Sequence, residues 1–219
     1  MKKVMKILIA ALCLFIPLQD LYGQQANAPS FKDGEWWKVK VAFTRREGES
    51  VSDCQDRYAQ YLIKFDQGKF KVHGGDGNNF QEIACPPVIV RTLGFVPEAQ
   101  KEELASQLGR DLQFEYAKFP LSVGKSWSQR LQQTQTGTPG LKNKVRYVDI
   151  EYKVLSWEKI QTAKGEFEAF KIQVQGWPSG HVRTAYYSPK AKVIVNLEAK
   201  TPSTDTGFSA TLLDLNVSE

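Results

Sequence analysis

The sequence predicts a mainly β protein, built on an antiparallel sheet with an up-and-down C-terminal meander and one short surface helix. Three observations carry this expectation: period-two alternation through five successive segments of the C-terminal half, short Gly/Pro/Ser connections between them, and a single stretch with helical signals. Alternation at period two puts successive side chains on opposite faces, so one face is apolar and the other polar.

The meander starts at "VRYVDIEYKV", residues 145–154, where Val148, Ile150, Tyr152 and Val154 share one face against Asp149, Glu151 and Lys153. After "TAKGE", the run "FEAFKIQVQ" sets Phe170, Ile172 and Val174 against Lys171, Gln173 and Gln175. "WPSG" turns the chain into "HVRTAYYS", "SPKA" turns it into "KVIVNLEAK", and "PSTDTG" leads to "FSATLLDLNV". Five strands joined by such short turns form consecutive hairpins. In the N-terminal half, "EWWKVKVAFTRR" reads as a strand whose adjacent Trp36 and Trp37 point to opposite faces, one to the core and the other to an interface or groove. "YAQYLIKFDQGKFKVHGG" reads as a hairpin around Asp66, Gln67 and Gly68, and "HGGDGNN" as a loop after its second strand. The helix expected over 97–109 has Pro97 in its first turn, Glu98 at its positive end and Gly109 as its stop. The polar "TQTGTPGLKNK" reads as a long exposed loop.

The N-terminus predicts export. Lys2, Lys3 and Lys6 precede an apolar run from Ile7 to Leu18. That run is shorter than the roughly 20 residues a spanning helix needs, so residues 1–23 read as a signal peptide, cleaved after Gly23 or, as later options, after Ala26 or Ala28. Leu12 stands before Cys13 where a lipid-attachment signal wants a small residue, which argues against a lipoprotein. Residues 24–219 then form a single β-rich domain, divisible into an irregular N-terminal part, 30–118, and the meander part, 119–219. The predicted location is periplasmic or extracellular, with no transmembrane segment left after cleavage.

The whole chain carries a formal charge of +5, of which the first 23 residues supply three lysines and one aspartate, leaving +3 on the mature part. Its basic residues are interspersed with acidic ones, which excludes a nucleic-acid footprint. Two cysteines remain after cleavage, Cys54 and Cys85, and an exported even pair reads as a disulfide. Closing that loop would contribute about 3–4 kcal/mol. Redox and metal readings are weaker, because the spacing is not CxxC and the two histidines, His73 and His181, fit no standard zinc pattern.

Catalytic patterns are missing. There is no GxSxG, and Ser179 beside His181 in "PSGH" is a coincidence on a turn. "HGGDGNN" lacks both the Lys-Ser/Thr of a phosphate loop and the spacing of a calcium loop. The pairs Glu166/Glu168 and Asp149/Glu151 have the spacing of a strand face, and solvation explains them more simply than glycoside hydrolysis. No catalytic residue, cofactor or metal is expected.

Three phrases in order, "FPLSVGKSW", "VLSWEKIQTAKGEFEAFKIQV" and "AYYSPKAKVIVNLE", resemble a family of exported bacterial β-proteins of unknown function. The likeness covers residues 119 to 200, in the C-terminal half only. It implies a curved antiparallel sheet or partly open barrel in the cell envelope and supplies no reaction. On such a sheet Trp127, Trp157, Trp177, Tyr186 and Tyr187 are the candidate lining of a ligand groove, although alternation allows at most one of the two tyrosines on a given surface. The function expected is non-catalytic binding of an envelope protein, lipid or glycan. The alternative is an uncatalogued enzyme acting on glycan or cell-wall material.

Overall fold

The computed structural model describes residues 24–44, 58–77, 79–83, 96–97, 116–135, 144–176, 182–201 and 206–218. Their strands, in chain order, are β1 (Gln25–Ala26), β2 (Trp36–Thr44), β3 (Gln60–Asp66), β4 (Lys69–Asp76), β5 (Asn79–Glu82), β6 (Val96–Pro97) and β7 (Tyr116–Ala117). There follow β8 (Leu121–Ser122), β9 (Ser126–Gln135), β10 (Lys144–Thr162), β11 (Gly165–Gln175), β12 (Val182–Ser188), β13 (Val193–Thr201) and β14 (Thr206–Asn216). No helix occurs among the described residues. The signal segment, Cys54, Cys85 and positions 98–109 of the expected helix lie outside them, while Pro97 sits in β6, paired parallel with β7.

Ten strands form one antiparallel sheet in the order β5-β4-β3-β2-β14-β13-β12-β11-β10-β9. The meander is therefore present as expected, and the pairing of β2 with β14 joins the N-terminal hairpin to it in the same sheet. The β3–β4 hairpin closes on Gln67 and Gly68, both at positive φ (52° and 73°). Two left-handed residues in a two-residue loop make a turn whose twist matches that of the flanking strands.

Register aligns one apolar face across the whole sheet. Ile63 pairs with Val72 and Trp37, Val39 lies beside Tyr61, Ala210 beside Val41, Leu197 beside Ala210, Ile172 beside Ala185 and Val154 beside Ile172. All of these are buried. We call this the packed face. The segment of β7 and β8 lies on it: Phe119, beside the cis peptide to Pro120, meets the Tyr187 ring edge to face at 5.6 Å. Phe31 caps its other end, 5.7 Å from Trp37 and 4.9 Å from Phe70.

The opposite face is polar, and the tip of one hairpin folds over it. A bulge at Leu155 lets β10 run on to Thr162, so the β10–β11 hairpin extends past its neighbours. Lys164 at its tip reaches Asp214 of β14 at 2.6 Å, across the two intervening strands β12 and β13. Asp214 pairs with Lys38, whose register belongs to the polar face, so the hairpin curls over that side. Under the curl, Phe167, Ala169, Ser188 and Val193 are buried although their register also belongs to the polar face. We call the polar side, over which the tip of this hairpin folds, the concave side.

"HGGDGNN" departs from the loop expectation. His73 to Asp76 continue β4, and Gly77 at φ 64° makes the turn to β5. A Cβ at Gly74 would fall 2.1 Å from the Tyr58 ring, and one at Gly75 would fall 1.9 Å from the Asn79 carbonyl oxygen. These glycines are present because other atoms occupy the space a side chain would need.

Candidate binding face of the sheet

The aromatic positions singled out in the sequence are distributed over both faces. Trp127 of β9 lies on the packed face, stacked on Tyr152 with centroids 4.8 Å apart and planes at 1°. Trp157 shares that face, its ring edge-on to Phe170 at 4.5 Å. Tyr187 is fully buried there, and burial pushes its phenol well above the ordinary tyrosine range. Tyr186, its neighbour, faces the concave side between Lys171 and Asn196. Trp177 lies outside the described residues, as do Ser179 and His181. The two adjacent tyrosines therefore divide as alternation requires. Trp36 and Trp37 divide in the same way, Trp37 fully buried with its indole N–H donating to the Ala191 carbonyl at 2.7 Å and Trp36 half-buried on the other face.

What the concave face offers instead is a depression of about 510 Å³ over β9, β10 and β11, lined by Ser126, Ser128, Glu151, Lys153, Gln173 and Gln175, with Trp127 and Tyr152 between them. Register explains the grouping: Glu151 pairs with Ser128 and with Gln175, and Lys153 pairs with Ser126 and with Gln173. Hydroxyl, amide, carboxylate and ammonium groups from three strands converge at one place. Such a lining presents both hydrogen-bond donors and acceptors.

Charges around the depression are joined in pairs. Arg130 forks onto Asp149 through Nε at 2.7 Å and a terminal nitrogen at 3.0 Å. That fork holds the Asp149 carboxyl below its usual range. Lys171 donates to Glu158 at 3.3 Å, and Ser156 donates to the same carboxylate at 2.6 Å. The hydroxyl and the ammonium together hold Glu158 low, and Glu158 in turn holds the Lys171 ammonium high. The Lys171 ammonium also lies over the Tyr186 ring, 5.7 Å from its centroid. Of the carboxylate pairs weighed in the sequence, Asp149 is thus engaged by Arg130, and Glu166 by Lys159 at 2.9 Å. Among the described residues no group of three His, Cys, Asp or Glu side chains is placed to hold a metal.

The depression residues were visible in the sequence only as the polar half of alternating strands, the half that a solvated face explains as well. Their sole distinguishing signal was density: Ser126, Ser128, Gln173 and Gln175 are neutral hydrogen-bonding residues where surface strands more often carry charge.

Fold and site together define an open, curved antiparallel sheet with a packed apolar face and a concave polar one. No family model matches the chain. No curated protein matches it either. Among solved structures it is similar to a candidate exported protein with a YmcC-like fold from Bacteroides fragilis, at 12% identity and TM-score 0.37, over 87% of this chain and 99% of that one. It is also similar to a candidate lipoprotein from Parabacteroides distasonis, at 11% identity and TM-score 0.32 over 87% and 99% of the two chains. The hypothetical lipoprotein YmcC from Escherichia coli gives 8% identity and TM-score 0.32 over 83% and 84%. Superpositions this loose transfer no role to the present chain.

Proposed function

We propose that this is an exported envelope protein that acts by binding, through the concave polar face of its sheet, and not by catalysis. The observation that carries the reading is the depression over β9, β10 and β11, where six polar side chains from three strands converge. Export rests on the basic residues Lys2, Lys3 and Lys6 and the short apolar run behind them. Of the partner classes expected, a lipid fits this face least, because an acyl chain would desolvate hydroxyl and amide groups without replacing their hydrogen bonds. A protein or a glycan can replace them.

The enzyme reading is the weaker one on chemistry. Glycoside hydrolysis uses two carboxyl groups across the scissile bond, and Glu151 is the one carboxylate in the lining. Photo-crosslinkers placed at Gln173 and Ser128 in the native host test the binding reading, with exposed Lys69 in the β3–β4 turn as the control position. A discrete adduct at the first two and none at Lys69 is the expected result. Equal labelling at all three positions, or none, would overturn it. A turnover abolished by Glu151→Gln with the fold intact would move the protein to the enzymes.

A further inference from the structure

From the hydroxyl and amide groups that lie along the polar face between the depression and Tyr186, we infer that the ligand of the concave face is a linear, uncharged oligosaccharide, which runs from the depression across the strands to that ring. This rests on the binding reading above and names the ligand class for the same face.

The path follows from register. Lys153 of β10 pairs with Gln173 of β11, Gln173 pairs with Thr184 of β12, and Thr184 pairs with Glu198 of β13. One step along the strands, Lys171 pairs with Tyr186 and Tyr186 with Asn196. From Ser128 on β9 to Tyr186 on β12 is three strand spacings across and four residues along β11, roughly 20 Å. That is longer than one sugar ring, so a monosaccharide reaches either the depression or the tyrosine but not both.

Exposure gives the path a direction. Val182 and Gln175, at the open end, are exposed, and Tyr186, Lys171 and Asn196 are half-buried. Ala169, Ser188 and Val193, one step further under the curled hairpin, are 0%, 0% and 6% exposed. The Ser188 hydroxyl oxygen has no hydrogen-bond partner among the described residues. The path is therefore a lane with a closed end, and its half-buried part holds the aromatic ring.

Charge decides the class. Three cations of the lane are offset by three anions, Arg130 by Asp149, Lys171 by Glu158 and Lys153 by Glu151, which leaves the exposed Glu198 at its margin as a single negative charge. A face this close to neutral has little field with which to select a phosphate or a polyanion, and one exposed carboxylate is too few to select a basic peptide. What remains is hydroxyl and amide groups beside one aromatic ring, and a neutral sugar matches both. Its hydroxyls exchange hydrogen bonds with Ser, Thr, Asn and Gln, while its C–H face covers the ring.

The test titrates the purified mature chain with unbranched neutral gluco-oligosaccharides and N-acetylglucosamine oligomers of one to six units, and in parallel with uncharged and basic peptides of similar length. The readout is calorimetry. Affinity is expected to rise by about tenfold or more from the monomer to the longer oligomers, and Tyr186→Ala to remove that gain, while Tyr186→Phe keeps it. Gln173→Ala guards against a Tyr186→Ala chain that fails to fold, and it should weaken every oligomer. Equal affinity for monomer and oligomer, indifference to Tyr186→Ala in a folded chain, preference for a peptide, or no binding by any oligomer would each overturn the inference. In those cases a crosslink at Gln173 in the envelope would still leave the broader binding reading standing.

Discussion

Glu35 shows at the scale of one residue how this sheet is locked. Its carboxylate is almost fully buried, at 3% exposure, and accepts from the Lys192 ammonium at 2.5 Å, the Ser218 amide at 3.0 Å and hydroxyl at 2.7 Å, and the Lys32 amide at 3.0 Å. One side chain thus ties the entry to β2, the β12–β13 turn and the C-terminal tail. Burial alone would raise its pKa, but the hydrogen bonds from Lys192, Ser218 and Lys32 outweigh it and leave the group below its ordinary value. A carboxyl depressed in the folded state stabilises above its unfolded pKa, and that contribution fades as pH falls through the folded one. Glu35→Gln is therefore expected to cost about 3 kcal/mol at neutral pH, since it leaves the Lys192 ammonium without its anion. It should also flatten the loss of stability below the ordinary carboxylate range, which denaturant titrations at neutral and acidic pH will show. Arg130 and Asp149, with side chains 67% and 60% exposed, are the contrast: removing their bridge should leave the melting temperature unchanged. Cys54 and Cys85 lie outside the described residues, and the disulfide expected from their export remains a prediction: intact mass should rise by two alkyl groups only after reduction.

Among the elements, the hairpin turns and the first strand carry the clearest expectations. Gln67 holds a left-handed conformation that costs a residue with a Cβ roughly 1–2 kcal/mol and that asparagine tolerates better. Gln67→Asn should accordingly raise stability, measured as a higher denaturation midpoint at constant slope. Gly176 is the opposite case: at φ 99° and with a Cβ position 2.1 Å from the Asp149 carbonyl oxygen, Gly176→Ala should destabilise β11 where it leaves the sheet. β1 bears on the processing site. Ala26 is buried and pairs with Leu121, so cleavage after Ala26 or Ala28 would strip this strand from the fold, whereas cleavage after Gly23 keeps it. N-terminal sequencing of the exported protein is expected to begin at Gln24.

For the whole molecule, the join between β2 and β14 has the largest consequence. Nine residue pairs from Gly207–Thr44 to Asn216–Trp36 link the N-terminal hairpin to the C-terminal meander, and the apolar face runs through the join without a break. Trp37 crosses it, with Phe31 on one side and the Ala191 carbonyl on the other. Unfolding is expected to be one cooperative transition, coincident by tryptophan fluorescence and far-ultraviolet circular dichroism. Two separated transitions would show that the halves hold independently. The fold of the β10–β11 hairpin tip onto β14 belongs to the same scale, because Lys164 and Asp214 join strands that are not neighbours in the sheet.

The sequence by itself determined the strands of the meander, the N-terminal hairpin and the opposite orientations of Trp36/Trp37 and Tyr186/Tyr187, since all of these follow from period-two alternation, a property of neighbouring residues. It did not show β10 continuing through "LSWEKIQT", because the bulge at Leu155 breaks the alternation there. Nor did it show β4 continuing through "HGGD", because the glycines that signal a turn are there to make room for Tyr58 and Asn79. Only the tertiary structure decided which rings share a face and over which face the β10–β11 hairpin folds. Trp127 and Tyr186 lie 59 positions apart in numbering, and their relation depends on the register of β9, β10, β11 and β12 and on the curl that Lys164 and Asp214 hold. Alternation specifies two faces for each strand but not how the faces of different strands are matched, and that matching is set by pairings between distant residues.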